Sequence, residues 1–89
     1  MGSIKIFTKA NCPKCPVAKE IGKELKKEGM PVLHYDVDTI DGLAEASYHS
    51  IFSTPSILIE DEEEREVICW RGKVPTLQEV KQYLFGDHS

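Results

Sequence analysis

The sequence predicts an α/β fold, a mixed four-stranded sheet with three helices in the order β-α-β-α-β-β-α. Three observations predict it. Apolar residues at helical spacing alternate with short β-branched runs over the first half of the chain. A strand–helix–strand start requires a parallel pair with a right-handed crossover. A short strand–loop–strand step near the end requires an antiparallel hairpin.

Ile4 to Thr8 combines β-branched and aromatic residues and stops before Asn11-Cys12-Pro13, which predicts the first strand. A helix follows. Val17, Ile21 and Leu25 recur every four residues with Ala18 beside them and predict its inward face, while Lys19, Lys23, Lys26 and Lys27 fill the solvent side. Gly29 and Pro31 stop it. Val32 to Val37 reads as the second strand. Asp38 to Asp41 offers capping groups for a second helix from about Gly42 to His49, with Leu43 and Ala46 inward. Ser56 to Ile59 and Val67 to Trp70 read as the third and fourth strands. The acidic run from Glu60 to Glu66 suits an exposed hairpin loop, where like charges stay in water. In the last helix Thr76 and Glu79 match a capping box after Pro75. Leu77, Val80 and Leu84 form its apolar face and Gly86 ends it.

The 89 residues are expected to form one domain, 1–89, with a single modest core. A hydrophobic fraction of 40% marks a folded chain without long disordered extensions. The net charge of −4 argues against nucleic acid, because phosphate binding needs a basic surface. No apolar run approaches the roughly 18 residues of a membrane-spanning helix. Met1 to Thr8 lacks the basic-then-apolar layout of a signal peptide. Met1-Gly2 opens a myristoylation motif that fails at Ile6. A cytoplasmic monomer without a membrane partner is the expectation.

The three cysteines, Cys12, Cys15 and Cys69, are too few for a secreted disulfide framework. In a reducing compartment a disulfide is usually transient and catalytic. Cys12-Pro13-Lys14-Cys15 falls where the first strand ends and the first helix begins. Unpaired N–H groups and the helix dipole there favour a thiolate. Lys14 adds positive charge. Pro13 at the first helical position loses no hydrogen bond. Pro16 lacks the N–H that would bond back to the Cys12 carbonyl, so a slightly loosened first turn is expected. Cys12 is then the exposed nucleophile and Cys15 the more buried resolving thiol, acting through a mixed disulfide. A competing reading makes this motif half a zinc site, but Cys69, His34, His49 and His88 have no paired ligand spacing. A metal or iron–sulfur module using Cys12 is the remaining alternative of that class.

On Cys12-Pro13-Lys14-Cys15 after the first strand, Thr54-Pro55 before the third and Gly72 after the fourth, the sequence resembles the thioredoxin/glutaredoxin superfamily over almost the whole chain. The segment from Cys12 to Lys19 is especially similar to compact, glutaredoxin-sized thioredoxin-like proteins of archaea and some bacteria. The resemblance implies a thioredoxin fold and a thiol–disulfide oxidoreductase, a protein disulfide reductase serving electron transport. It implies a redox-active Cys12–Cys15 disulfide as the only redox group, with no further cofactor. Disulfide-containing proteins are the implied substrates, and a thioredoxin-reductase-like or other thiol donor the implied electron source. By the same resemblance Pro55 is cis and lies against the dithiol, and the Thr54 backbone pairs with the substrate chain. Pro13 and Lys14 join them as substrate contacts. Gly72 looks like the family glycine that admits a partner, and reads equally as a plain turn residue. A glutathione-dependent glutaredoxin is the alternative in the same fold. Its glycine-pair and acidic pattern is incomplete in Trp70-Arg71-Gly72-Lys73-Val74. Thioredoxins place Trp where Asn11 stands and Gly-Pro where Pro13-Lys14 stands. Their buried acidic residue has no counterpart in the first two elements.

Cys69 reads as a small buried hydrophobe rather than a regulatory thiol. Val67 and Cys69 share one strand face, and Ile68 and Trp70 the other. Trp70 reads as structural, and Tyr48, His49 and Phe52 as packing and loop residues. The first helix's lysines read as a solvated face that also suits steering of an acidic partner.

Overall fold

A computed structural model describes residues 2–85 of the chain. The elements are β1 (Ser3–Thr8), α1 (Cys15–Lys27), β2 (Val32–Asp36), α2 (Ile40–Tyr48), β3 (Ser56–Glu60), β4 (Glu66–Arg71) and α3 (Leu77–Phe85). The sheet order is β2-β1-β3-β4. β1 runs parallel to β2 and antiparallel to β3, and β3 runs antiparallel to β4. This is the mixed four-stranded sheet with three helices that the alternation of elements predicts, in the thioredoxin fold that the resemblance implies. Gly86, assigned above as the end of the last helix, lies outside the described residues, as do Met1 and His88.

The two central strands are covered on both faces, and the pleat sorts their residues. Ile4 and Ile6 of β1 and Ile57 and Ile59 of β3 pack with Ala18, Ile21 and Leu25 of α1 and Val80 of α3. Phe7 and Leu58 face the other way and pack with Ala46 of α2 and Ile51. Ile68 and Trp70 of β4 join the first cluster and Cys69 the second, which settles the orientation of that strand.

The inward stripe of α1 differs from expectation. Cys15, Ala18, Ile21, Gly22 and Leu25 are buried, whereas Val17 is 54% exposed. Each step of four residues drifts about 40° around a helix of 3.6 residues per turn, so Val17, two steps from Leu25, lies off the edge of the stripe that Ile21 and Leu25 share with Ala18. Mixed steps of three and four stay on one face. In α2 the buried pair is Gly42 and Ala46, and Leu43, expected inward with Ala46, is 56% exposed. That helix starts at Ile40, earlier than expected, because Thr39, within the expected capping stretch, caps it. Its Oγ1 accepts from the Gly42 N–H at 3.0 Å. The α3 capping box forms reciprocally. The Glu79 N–H donates to Thr76 Oγ1 and the Thr76 N–H to Glu79 Oε1, both at 3.0 Å.

The acidic run also departs from a purely exposed loop. Glu60 ends β3 and is 3% exposed. The register that sets Ser3 beside Glu60 brings Lys5 to the same face, and Lys5 Nζ lies 2.9 Å from Glu60 Oε1 and 2.6 Å from Glu45 Oε2. His49 Nε2 completes the cluster, 3.2 Å from Glu45 Oε2. The rest of the run stays in water. Asp61 Oδ1 accepts from the N–H groups of Glu63 and Arg65 and shapes the turn.

Candidate functional site

Cys12 and Cys15 lie between the end of β1 and the first turn of α1, joined as a disulfide with Cα atoms 5.3 Å apart. The structure therefore describes the oxidised state. The chain reaches this position through Asn11, whose φ of 59° is left-handed. Asparagine tolerates that region better than most residues, a local reason for its presence where thioredoxins carry Trp. The Ala10 N–H donates to Asp38 Oδ2 at 3.1 Å, which ties this loop to the segment after β2. Asp38 lies in the stretch expected to cap α2, and its side chain makes this loop contact while Thr39 makes the cap.

The helix begins at Cys15 with Lys14 as N-cap, so Pro13 precedes the helix rather than opening it. Pro16 occupies the second helical position, where no N–H needs an intrahelical partner. The Cys12 carbonyl accepts instead from the Cys15 N–H at 3.2 Å, and the helical ladder starts with the Ala18 N–H to the Lys14 carbonyl at 3.3 Å. Two prolines thus bracket a tight turn that holds the cysteines together, and Pro16 costs the helix nothing.

The cysteines differ in exposure. Cys15, at the first position of α1, is 2% exposed, while Cys12 is half-buried at the surface. A trough of about 590 Å³ runs from Cys12 and Pro13 across Thr54 to Leu43, Ile51 and Phe52. A shallower depression of about 450 Å³ holds Lys9, Cys12, Cys15, Pro16 and Lys19. Thr54 stands in the trough, and the Thr54–Pro55 peptide bond is cis with Pro55 buried. Lys14 is exposed beside the dithiol. Gly72 lies apart from both cavities, at the end of β4. Its φ is 71°, and a Cβ there would stand 3.1 Å from the Ser53 Cβ. Its N–H donates to Ser56 Oγ at 3.2 Å, and Ser56 Oγ donates to the Ser53 carbonyl at 2.7 Å. Gly72 therefore supports the segment that carries Thr54.

Phe52 is a loop residue, as expected, and Tyr48 ends α2, but neither side chain is buried. They are 84% and 82% exposed, and Phe52 forms one wall of the trough beside Cys12. Sequence patterning had no way to find it, because it lies between elements. Cys69 sits half-buried against Phe7, Ala46, Ile51 and Leu58. Burial pushes its thiol up to about 11, with Arg71 opposing and Glu66 assisting. Trp70 is structural, edge-on to Tyr83 at 5.6 Å. Among the described residues, no three His, Cys, Asp or Glu side chains group as a metal site. None of their helices is long and apolar enough to cross a membrane.

A central mixed sheet with a CxxC disulfide at the first strand–helix junction defines a thioredoxin-type protein. The chain belongs to the thioredoxin family, since the model of the thioredoxin domain matches residues 2–85. A probable thioredoxin of Archaeoglobus fulgidus is 39% identical over 62 residues, 68% of each chain. The fold is shared with thioredoxin 1 of Thermosipho africanus, at TM-score 0.74 and 20% identity, over 92% of this chain and 89% of that one. It is shared also with the reduced thioredoxin pre-protein of Schistosoma mansoni, at TM-score 0.72 and 17% identity, over 91% and 73%.

Proposed function

We propose that the chain is a thiol–disulfide oxidoreductase that reduces disulfides in other proteins through Cys12 and Cys15. The unequal burial of the two sulfurs carries this reading. The reduced Cys12 thiolate attacks one sulfur of a partner disulfide. The partner S–S bond breaks, a Cys12–partner bond forms, and the departing sulfur takes a proton. Cys15 then loses its proton and attacks the Cys12 sulfur, which forms the intramolecular disulfide and releases the second partner thiol. Two electrons and two protons pass to the partner. A dithiol donor of the thioredoxin-reductase class, or another cellular thiol, returns them. Pro13, Lys14, Thr54 and Pro55 border the attacked sulfur in this reading, and Gly72 holds the Thr54 segment. The reaction runs in the reducing direction in a cytoplasmic setting, with no other cofactor.

A redox titration of wild type and Cys69→Ser in defined thiol/disulfide buffers tests the reading, with free thiols counted by alkylation and mass. Cys12 and Cys15 should oxidise together, Cys69→Ser should change nothing, and the potential should fall nearer about −270 mV than about −120 mV. Failure to form the Cys12–Cys15 disulfide, or a stoichiometric metal in freshly purified protein, would overturn it. Rapid recycling of the oxidised protein by glutathione alone would favour the glutaredoxin alternative.

A further inference from the structure

The chain carries its charge unevenly. Residues 1–27 hold seven lysines against Glu20 and Glu24, in a protein of net charge −4. Lys5 is consumed by the cluster with Glu45 and Glu60. Lys9, Lys14 and Lys19 are exposed around the dithiol and form no ion pair with any described residue. Lys9 lines both cavities at Cys12, and Lys19 lines the one that holds both cysteines. No Asp or Glu lines either. Farther along the same helix face, burial and the charges of Lys19 and Lys26 hold His34 below its ordinary value, so the positive field extends beyond the rim. The trough that Lys9 and Cys12 line also has an apolar part, formed by Val37, Leu43, Ala46, Ile51 and Phe52. Exposed aromatic and aliphatic surface at a reactive centre is a marker of a binding surface.

Resting on the oxidoreductase reading above, we propose that the preferred partner is a polypeptide disulfide with acidic residues next to its attacked cysteine. The acidic residues meet Lys9, Lys14 and Lys19, and an apolar side chain of the same segment enters the trough between Leu43 and Phe52. The lysines steer the encounter and weaken with salt, because they act through water. The trough acts by burying apolar surface and is insensitive to salt.

The test uses the reduced full-length protein and three cyclic disulfide peptides. One carries Glu beside the cysteine and Leu two residues on. The second replaces Glu by Lys, and the third replaces Leu by Ala. Bis(2-hydroxyethyl) disulfide serves as a small neutral reference. At low salt the Glu peptide should react roughly 10-fold faster than the Lys peptide, since single exposed pairs contribute about 2- to 5-fold each. The gap should close in about 0.5 M salt. The Leu-to-Ala peptide should react roughly 10-fold more slowly at any salt. Lys9→Glu/Lys19→Glu should invert the Glu-to-Lys preference, a ratio that cancels any change in Cys12 reactivity. Failure to reduce the small reference disulfide would sink the oxidoreductase reading itself. An ordinary rate with that reference, but equal rates for the Glu and Lys peptides or for the Leu and Ala peptides, would overturn this inference alone. A dimer in sedimentation that Phe52→Ser dissociates would assign the trough to a second copy and overturn it too.

Discussion

Replacing Lys5 by Met should destabilise the protein by about 3 kcal/mol, although Lys5 lies away from the dithiol. Its side chain is 12% exposed and holds the side chains of Glu60 and Glu45, which are 4% and 26% exposed. Breaking a buried pair by removing one partner costs about 3–5 kcal/mol, because the other charge stays buried without compensation. The partial exposure of Glu45 puts the expected loss at the lower end. At about 4–8 °C per kcal/mol for a domain of this size, the melting temperature should fall by roughly 12–24 °C. Urea titration and thermal melts at neutral pH measure it. Lys5→Met/Glu60→Met should recover more than about half of the loss, since a buried pair replaced by apolar side chains is often neutral. A single-variant loss below about 1 kcal/mol, the range of exposed pairs, would refute the reasoning. So would a double variant no better than the single.

The same cluster has a pH signature. The hydrogen bond from Lys5 holds Glu45 below its ordinary 4.5, against burial and with help from the charges of Lys5 and His49. A depressed carboxylate stabilises fully above its ordinary value, and that contribution is lost as pH falls through the lower folded value. For Lys5 burial works downward, but its bonds to Glu45 and Glu60 and their charges raise it above 10.5. That stability is full below 10.5 and is lost as pH rises through the higher folded value. The difference between wild type and Lys5→Met should therefore be flat between these limits and shrink at both ends.

Other substitutions separate the packing claims. Leu25→Ala, at a fully buried position, should cost about 2–5 kcal/mol, whereas Val17→Ala should cost about 0.5 kcal/mol or less, both read by urea titration. Gly42→Ala should unfold or severely weaken the chain, because a Cβ there would lie 1.9 Å from the Asp36 carbonyl oxygen, and circular dichroism would show it. Cys69 should resist iodoacetamide in the folded reduced protein at pH 8. Moving a thiol from 9.0 to about 11 cuts its thiolate fraction roughly a hundredfold, and mass spectrometry should find Cys69 labelled only after denaturation.

Much of this was legible along the chain because it is local. The alternation of elements, the dithiol at a strand–helix junction and the Thr76–Glu79 box each depend on residues within one or two turns of each other. Pro16 was legible as a missing donor, but its harmlessness depended on where the helix starts. That start is set by the turn in which the Cys12 carbonyl accepts from Cys15.

By itself, then, the sequence determined the order of strands and helices and the mixed sheet, since periodicity and chain direction constrain these directly, and it set Cys12 and Cys15 three residues apart at a strand–helix junction. Only the tertiary structure decided which side of α1 is covered, why Glu60 is buried while its acidic neighbours are wet, and that Phe52 stands beside Cys12. Burial of a charge depends on what the sheet register places against it, and Lys5 meets Glu45 from 40 residues away. A loop residue such as Phe52 belongs to no periodic face, so its position follows only from how α2 and β3 pack around it.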